Sequence, residues 1–185
     1  MRKEQKANYP ESARGAAALL VRMVLEDGAY TNIALNQYLR GSRLSDLDRR
    51  LATELVYGTV KASGTLDWYL AQCVSRPLDK VAGDILAILR ISTYQLLYMT
   101  RIPASAAVNE AVKLARSVSH EGSAKFVNGV LRGLLRKQEA GAFVLPDAEK
   151  QDADYLSLKY YHPRWLVKRW LGPWGRGGTE RLLAF

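Results

Sequence analysis

The chain has 185 residues and carries 27 Lys/Arg against 18 Asp/Glu, a formal net charge of +9. That length suits one well-formed core rather than two full domains, and no apolar run approaches the ~18 residues of a membrane span. The charged opening "MRKEQKANYPES" lacks the apolar stretch of a secretory signal, and the single cysteine excludes an internal disulfide framework, so the expected setting is the cytoplasm.

Ser12 is placed to cap a helix with Ala13, Ala16, Ala17, Leu20 and Val24 on one face, stopped near Gly28. Thr31 opens a short amphipathic segment that ends at Gly41. Ser45, three residues before Asp48, resembles a capping box for a helix with Leu47, Leu51 and Leu55 on its apolar face. A separate helix is expected from Thr65, with Leu66, Tyr69, Leu70 and Cys73 in register. Residues 84–100 carry Arg90 as their only charge after Asp84, which predicts the central helix of a bundle. Pro103 breaks the chain before an Ala-rich helix, and Ser123 opens "SAKFVNGVLRGLLRK". No β alternation appears up to residue 137. The expected fold is all-α, with six or seven helices packed around residues 84–100.

After Lys137 the pattern stops. "QEAGAFVLPDAEKQ" mixes Gly, Pro and acids and reads as a linker over 138–151. A new start follows at Asp152, with Pro163 at the head of a helix and Gly172, Pro173, Gly175, Gly177 and Gly178 interrupting it. "YYHPRWLVKRWLGPW" places Trp165, Trp170 and Trp174 close together, with little downstream sequence to bury them.

The charge is unevenly spread. Residues 101–137 have a net charge of +5, residues 138–157 of −4, and residues 158–185 of +5. Two basic blocks split by an acidic segment favour a polyanion, most simply nucleic acid. On the 123–137 helix, Phe126, Val127, Val130, Leu131, Leu134 and Leu135 take one side, while Lys125, Asn128, Arg132 and Arg136 share the other, flanked by Gly129 and Gly133. Such a stripe can bind successive phosphates, and bare glycines let a sugar-phosphate backbone come close. The alternative is a solvated helix whose glycines permit tight packing against a neighbour. Lys113, Arg116 and Arg14 are the further candidate phosphate contacts.

Elsewhere the chemistry is sparse. Cys73 lies on an apolar face and reads as core. His120 and His162 with one cysteine cannot complete a zinc set, so no metal site is expected. "GRGG" at 175–178 has neither a preceding strand nor a Walker spacing. No catalytic or cofactor-binding set can be assembled from these residues.

"AAVNEAVKLARSVSHEGSAKFVNGVLRGLLRK", residues 106–137, resembles the last two helices of the NusB-like fold, and "LDRRLATELVYGTVKASGTLDWYL", residues 47–70, is similar to an earlier helix pair of that family. The resemblance spans about residues 12–137. NusB-like domains occur as free antitermination factors and as the N-terminal part of bacterial ribosomal RNA methyltransferases. "YLSLKYYHPRWLVKRWL" looks like the lead-in to the methyltransferase module of the Sun/Fmu (RsmB) type, although "GPWGRGG" departs from that pattern. The resemblance implies a division into an RNA-binding domain over 1–137, expected to fold without the tail, the linker, and a truncated module start over 152–185. It also implies a parent enzyme that methylates C5 of a cytosine in 16S rRNA with S-adenosylmethionine, through a catalytic domain in cis that lies outside these residues. This chain itself is then expected to bind 16S rRNA and neither cofactor nor membrane. The other readings are a free-standing NusB-like antitermination factor without enzymatic activity, and a helical adaptor that recognises protein.

Overall fold

Ser12 starts the first helix as its side chain dictates: in extended conformation, its hydroxyl accepts from the Gly15 amide at 3.1 Å. The computed structural model describes residues 8–184; most of the charged opening stretch and the final Phe185 lie outside the described residues. Helix α1 (Ala13–Leu25) buries Ala16, Ala17, Ala18, Leu20 and Val21, a mostly small face that lets α3 and α4 approach closely. Helix α2 (Thr31–Gly41) buries only Ala34 and Leu35.

Helix α3 (Asp46–Ala71) opens on Ser45, whose Oγ accepts from the Asp48 amide at 3.2 Å and lies 2.8 Å from the Asp48 carboxylate. Two expectations fail here. Leu47 is 76% exposed rather than packed, and α3 runs through Thr65 without a break. Gly58 and Gly64 weaken the helical signal in the sequence, yet packing overrides it. A Cβ at Gly58 would collide with the Tyr94 ring, so α4 rests directly on the α3 backbone there. Thr65, 4% exposed, does not cap a helix; its hydroxyl donates to the Leu158 carbonyl at 2.9 Å.

Helix α4 (Gly83–Tyr98) is the expected centre. It buries Ile85 through Leu89 and Ile91, and it touches α1, α3, α5 and α6. Its one mid-helix charge, Arg90, is met by Asp67 of α3 in a two-pronged pair with both N–O distances 2.8 Å. Pro103 precedes α5 (Ala104–Val118). Helix α6 (Glu121–Glu139) begins two residues earlier than Ser123, because His120 is its cap: the His120 ring Nδ1 accepts from the Ser123 amide at 3.3 Å.

The described residues contain eight α-helices, a short 3-10 turn at Leu78–Lys80 and no strand. The last two, α7 (Asp152–Tyr160) and α8 (Arg164–Leu183), form a hairpin around Leu156, Val167 and Leu183. Gly175 breaks α8 with φ 58 and ψ 179, as the Gly/Pro cluster predicts. Trp170 packs on this small core, whereas Trp165 and Trp174 are 65% and 61% exposed. The linker and the hairpin dock on the bundle through other aromatics. Phe143 meets Tyr69 at 4.8 Å and Trp68 at 6.3 Å between centroids, and Tyr161 meets Tyr98 at 5.5 Å.

Candidate nucleic-acid interface

Helix α6 is amphipathic because its apolar residues recur at helical spacing. Ala124, Val127, Val130, Leu131 and Leu134 are buried against α4 and α5. That burial fixes the rotation of the helix, and rotation decides what the opposite side shows. Lys125, Arg132 and Arg136 are exposed, and Asn128 is half-buried between them. Arg132 Nε donates to Asn128 Oδ1 at 3.0 Å across one turn, which holds the guanidinium along the helix. Lys125, Arg132 and Arg136 form no ion pair among the described residues.

The glycines beside this stripe do not serve helix packing. A Cβ at Gly129 would meet nothing within 4 Å, and one at Gly133 only the Arg136 guanidinium at 3.8 Å. Both face a cavity of about 340 Å³ shared with Gln72, Cys73, Arg136 and Lys137. Each glycine costs the helix roughly 0.5–1 kcal/mol relative to alanine, with no close neighbour to offset the loss. The tight-packing alternative is therefore excluded.

The other candidates divide. Arg116 reaches the first turn of α6, where it pairs with Glu121 at 2.6 Å. Its guanidinium holds the Glu121 carboxyl below the ordinary carboxylate range. Lys113 pairs within α5 to Glu110 at 2.9 Å. Arg14 does not join the stripe: it is half-buried and its Nε donates to the Gln95 amide oxygen of α4 at 2.8 Å. Two cations were missed. Arg76 lies 5.1 Å from the Phe126 ring centroid, and with Lys80, His120, Gly122 and Ser123 it lines a cavity of about 260 Å³ at the start of α6. They come from the turn after α3, where residues 62–100 sum to zero charge, so charge blocks in the sequence gave no signal for them.

Cys73 packs on the main core, and burial pushes its thiol pKa up, away from the reactive thiolate. No group of three metal-ligating side chains occurs among the described residues. The Gly175 to Gly178 run lies within the kinked α8, with no strand ahead of it, unlike the glycine loop of a dinucleotide-binding turn. None of the described helices is long and apolar enough to cross a membrane.

Comparison with known proteins bears on the bundle that carries these residues. The NusB family model matches residues 11–136. A probable ribosomal RNA small subunit methyltransferase B from Synechocystis sp. is 40% identical over 174 residues, 94% of this chain and 38% of that protein. A protein of the same description from Bacillus subtilis is 36% identical over 92% of this chain and 37% of its own length. The chain thus spans less than two-fifths of these relatives. The NusB fold seen in a crystal structure of antitermination factors NusB and NusE in complex with dsRNA superposes with a TM-score of 0.62 at 21% identity, over 69% of this chain and 96% of that one. With the helical bundle, its central α4 and the matched segment in agreement, the chain belongs to the NusB family.

Proposed function

We propose that this chain is the RNA-binding N-terminal region of an S-adenosylmethionine-dependent 16S rRNA cytosine-C5 methyltransferase, and that it positions rRNA in the cytoplasm for a catalytic domain in cis. Within it, residues 1–137 form the RNA-binding domain, 138–151 the linker, and 152–185 the lead-in to the methyltransferase module. The observation that carries the reading is the outer side of α6, where Lys125, Arg132 and Arg136, with no ion pair among the described residues, run beside glycines that open onto a groove. Lys125, Asn128, Arg132 and Arg136 contact phosphates, with Arg116 and Lys113 at the margin. Arg14 contributes indirectly, through the packing of α1 on α4.

A free-standing antitermination factor has the same bundle. The methyltransferase reading is favoured because identity to those relatives covers 94% of the chain, well past the 11–136 segment of the NusB match. Filter binding to 16S rRNA fragments at two salt concentrations tests the RNA arm. Affinity should fall steeply with salt, with a slope of about −0.7 to −0.9 per phosphate contacted. A salt-independent affinity would count against a phosphate-binding face.

A further inference from the structure

On the side of α3 where the α7–α8 hairpin docks, α4 and the turn between α7 and α8 bring aromatic rings together. Tyr94 and Tyr98 of α4 stand one turn apart with centroids at 5.5 Å, and Tyr161, between α7 and α8, meets Tyr98 edge-on at 83°. With Gly58, Lys61 and Ala62 of α3 they line a cleft of about 210 Å³. Gly58 is needed there, since a side chain would displace the Tyr94 ring. Tyr161 is held in the left-handed region with φ 61, the one non-glycine residue with positive φ among the described residues. The Ser157 hydroxyl donates to the His162 carbonyl at 2.6 Å and the His162 amide to the Ser157 carbonyl at 3.2 Å, closing the turn that presents the ring.

Lys61 and Tyr161 also line a second, larger cavity of about 370 Å³, with Ser63, Ser157, His162 and Arg164. Lys61 is exposed and has no ion pair among the described residues, whereas Arg164 is neutralised by Asp154. Tyr57, one turn before Lys61 on α3, is 47% exposed and adds another ring to the same surface. An aromatic slot that opens past Lys61 into a larger cavity edged by the Ser63 hydroxyl has the layout of a nucleotide: ring faces for the base, a cation for the phosphate, a hydroxyl for the sugar. A purely apolar peptide side chain would leave Lys61 without a partner.

We propose that this cleft binds one unpaired nucleotide of the RNA, its base stacked among Tyr94, Tyr98 and Tyr161 and its phosphate on Lys61. The inference rests on the RNA-binding reading above and adds a second contact point, on α3, α4 and the tail rather than on α6. It gives the chain a means of distinguishing single-stranded from duplex RNA, because a paired base cannot enter the slot.

The test is binding of the full chain to a short single-stranded oligoribonucleotide of 16S sequence and to the same sequence as a duplex. Tyr161→Gly removes the ring while suiting the left-handed backbone, and Lys61→Gln removes the cation at an exposed position. Tyr161→Gly should weaken the single strand about tenfold, the size of one base–aromatic stack, and leave both the duplex affinity and the salt slope unchanged. Lys61→Gln should lower the salt slope for the single strand by about one phosphate contact. Photo-crosslinking of a 4-thiouridine-substituted strand should label peptides that contain Tyr94, Tyr98 or Tyr161, which reports on the cleft without any variant. Unchanged single-strand affinity in Tyr161→Gly, or crosslinks confined to other helices, would overturn the cleft while wild-type binding keeps the α6 reading intact. No RNA binding by the wild-type chain would overturn both.

Discussion

Cutting the chain after Ala140, just past the end of α6, removes the whole tail and leaves every helix of the bundle. The sequence leads to the expectation that residues 1–137 fold without the tail, because the bundle helices carry their own apolar faces. The docking contacts add a stability cost to that expectation. The cut deletes the Phe143 contacts with Tyr69 and Trp68 and the Tyr161 contact with Tyr98, three ring pairs worth roughly 0.5–1.5 kcal/mol each beyond area burial. It also deletes the Leu158 carbonyl that accepts from buried Thr65, worth about 1 kcal/mol net. The sum is about 3–5 kcal/mol, against a typical domain stability of roughly 5–15 kcal/mol. The bundle should therefore still fold, with a melting temperature lower by about 10–15 °C. Thermal melts followed by circular dichroism at 222 nm, on the full and shortened chains side by side, measure it. Equal melting temperatures would show that the tail contacts contribute nothing.

Two further predictions follow from local geometry. Gly15→Ala should destabilise by about 1–3 kcal/mol in chemical denaturation despite alanine's better helix propensity, because the added Cβ would collide with the rigid Pro10 carbonyl; a stabilised variant would refute the packing of the N-terminal approach on α1. The α7–α8 hairpin should loosen only in acid. Hydrogen bonds from Lys159 first and Tyr160 second, at 2.9 and 2.8 Å, hold the Glu180 carboxyl below its ordinary value of 4.5. Its contribution is thus fully present above pH 4.5 and lost as the pH falls through the folded value. Amide protection factors in α7, taken against the intrinsic exchange rate at each pH, should fall only below pH 4.5. Glu180→Gln should lessen that fall, with Asp152 and Asp154 supplying the remainder through Arg176 and Arg164; protection factors that stay constant into acid in the unsubstituted chain would contradict the assignment.

Much of the bundle was legible because its signals are local. Ser12 and Ser45 cap the helices they were expected to cap, and the nearly uncharged α4 sits at the centre. The continuity of α3 was not legible. Thr65 reads as the start of a separate helix, and only the Tyr94 ring, 36 residues beyond Gly58 in the chain, explains why a glycine sits mid-helix. The start of α6 was missed for a similar reason, since a histidine cap is rarer than a serine and His120 reads as part of a turn. On the surface, periodicity placed the α6 stripe on one side, but it could not show that Arg14 turns inward to Gln95 or that Arg76 and Lys80 arrive beside His120. Those placements depend on helix–helix packing between segments far apart in sequence. The tryptophans show the same limit: the tail docks through Phe143 and Tyr161, while Trp165 and Trp174 stay exposed.

The central claim is that the outer side of α6 meets RNA phosphates, and the most direct measurement of it is the affinity of the Arg132→Glu, Arg136→Glu double variant for 16S rRNA fragments. Both side chains are exposed and form no ion pair among the described residues, so stability should change by no more than about 0.5 kcal/mol per site. Binding should fall well over tenfold, and the neutral single variants Arg132→Ala and Arg136→Ala should each lower the salt slope by about 1. An unchanged affinity and salt slope in the doubly reversed protein would contradict the account and leave the α6 stripe a solvated face.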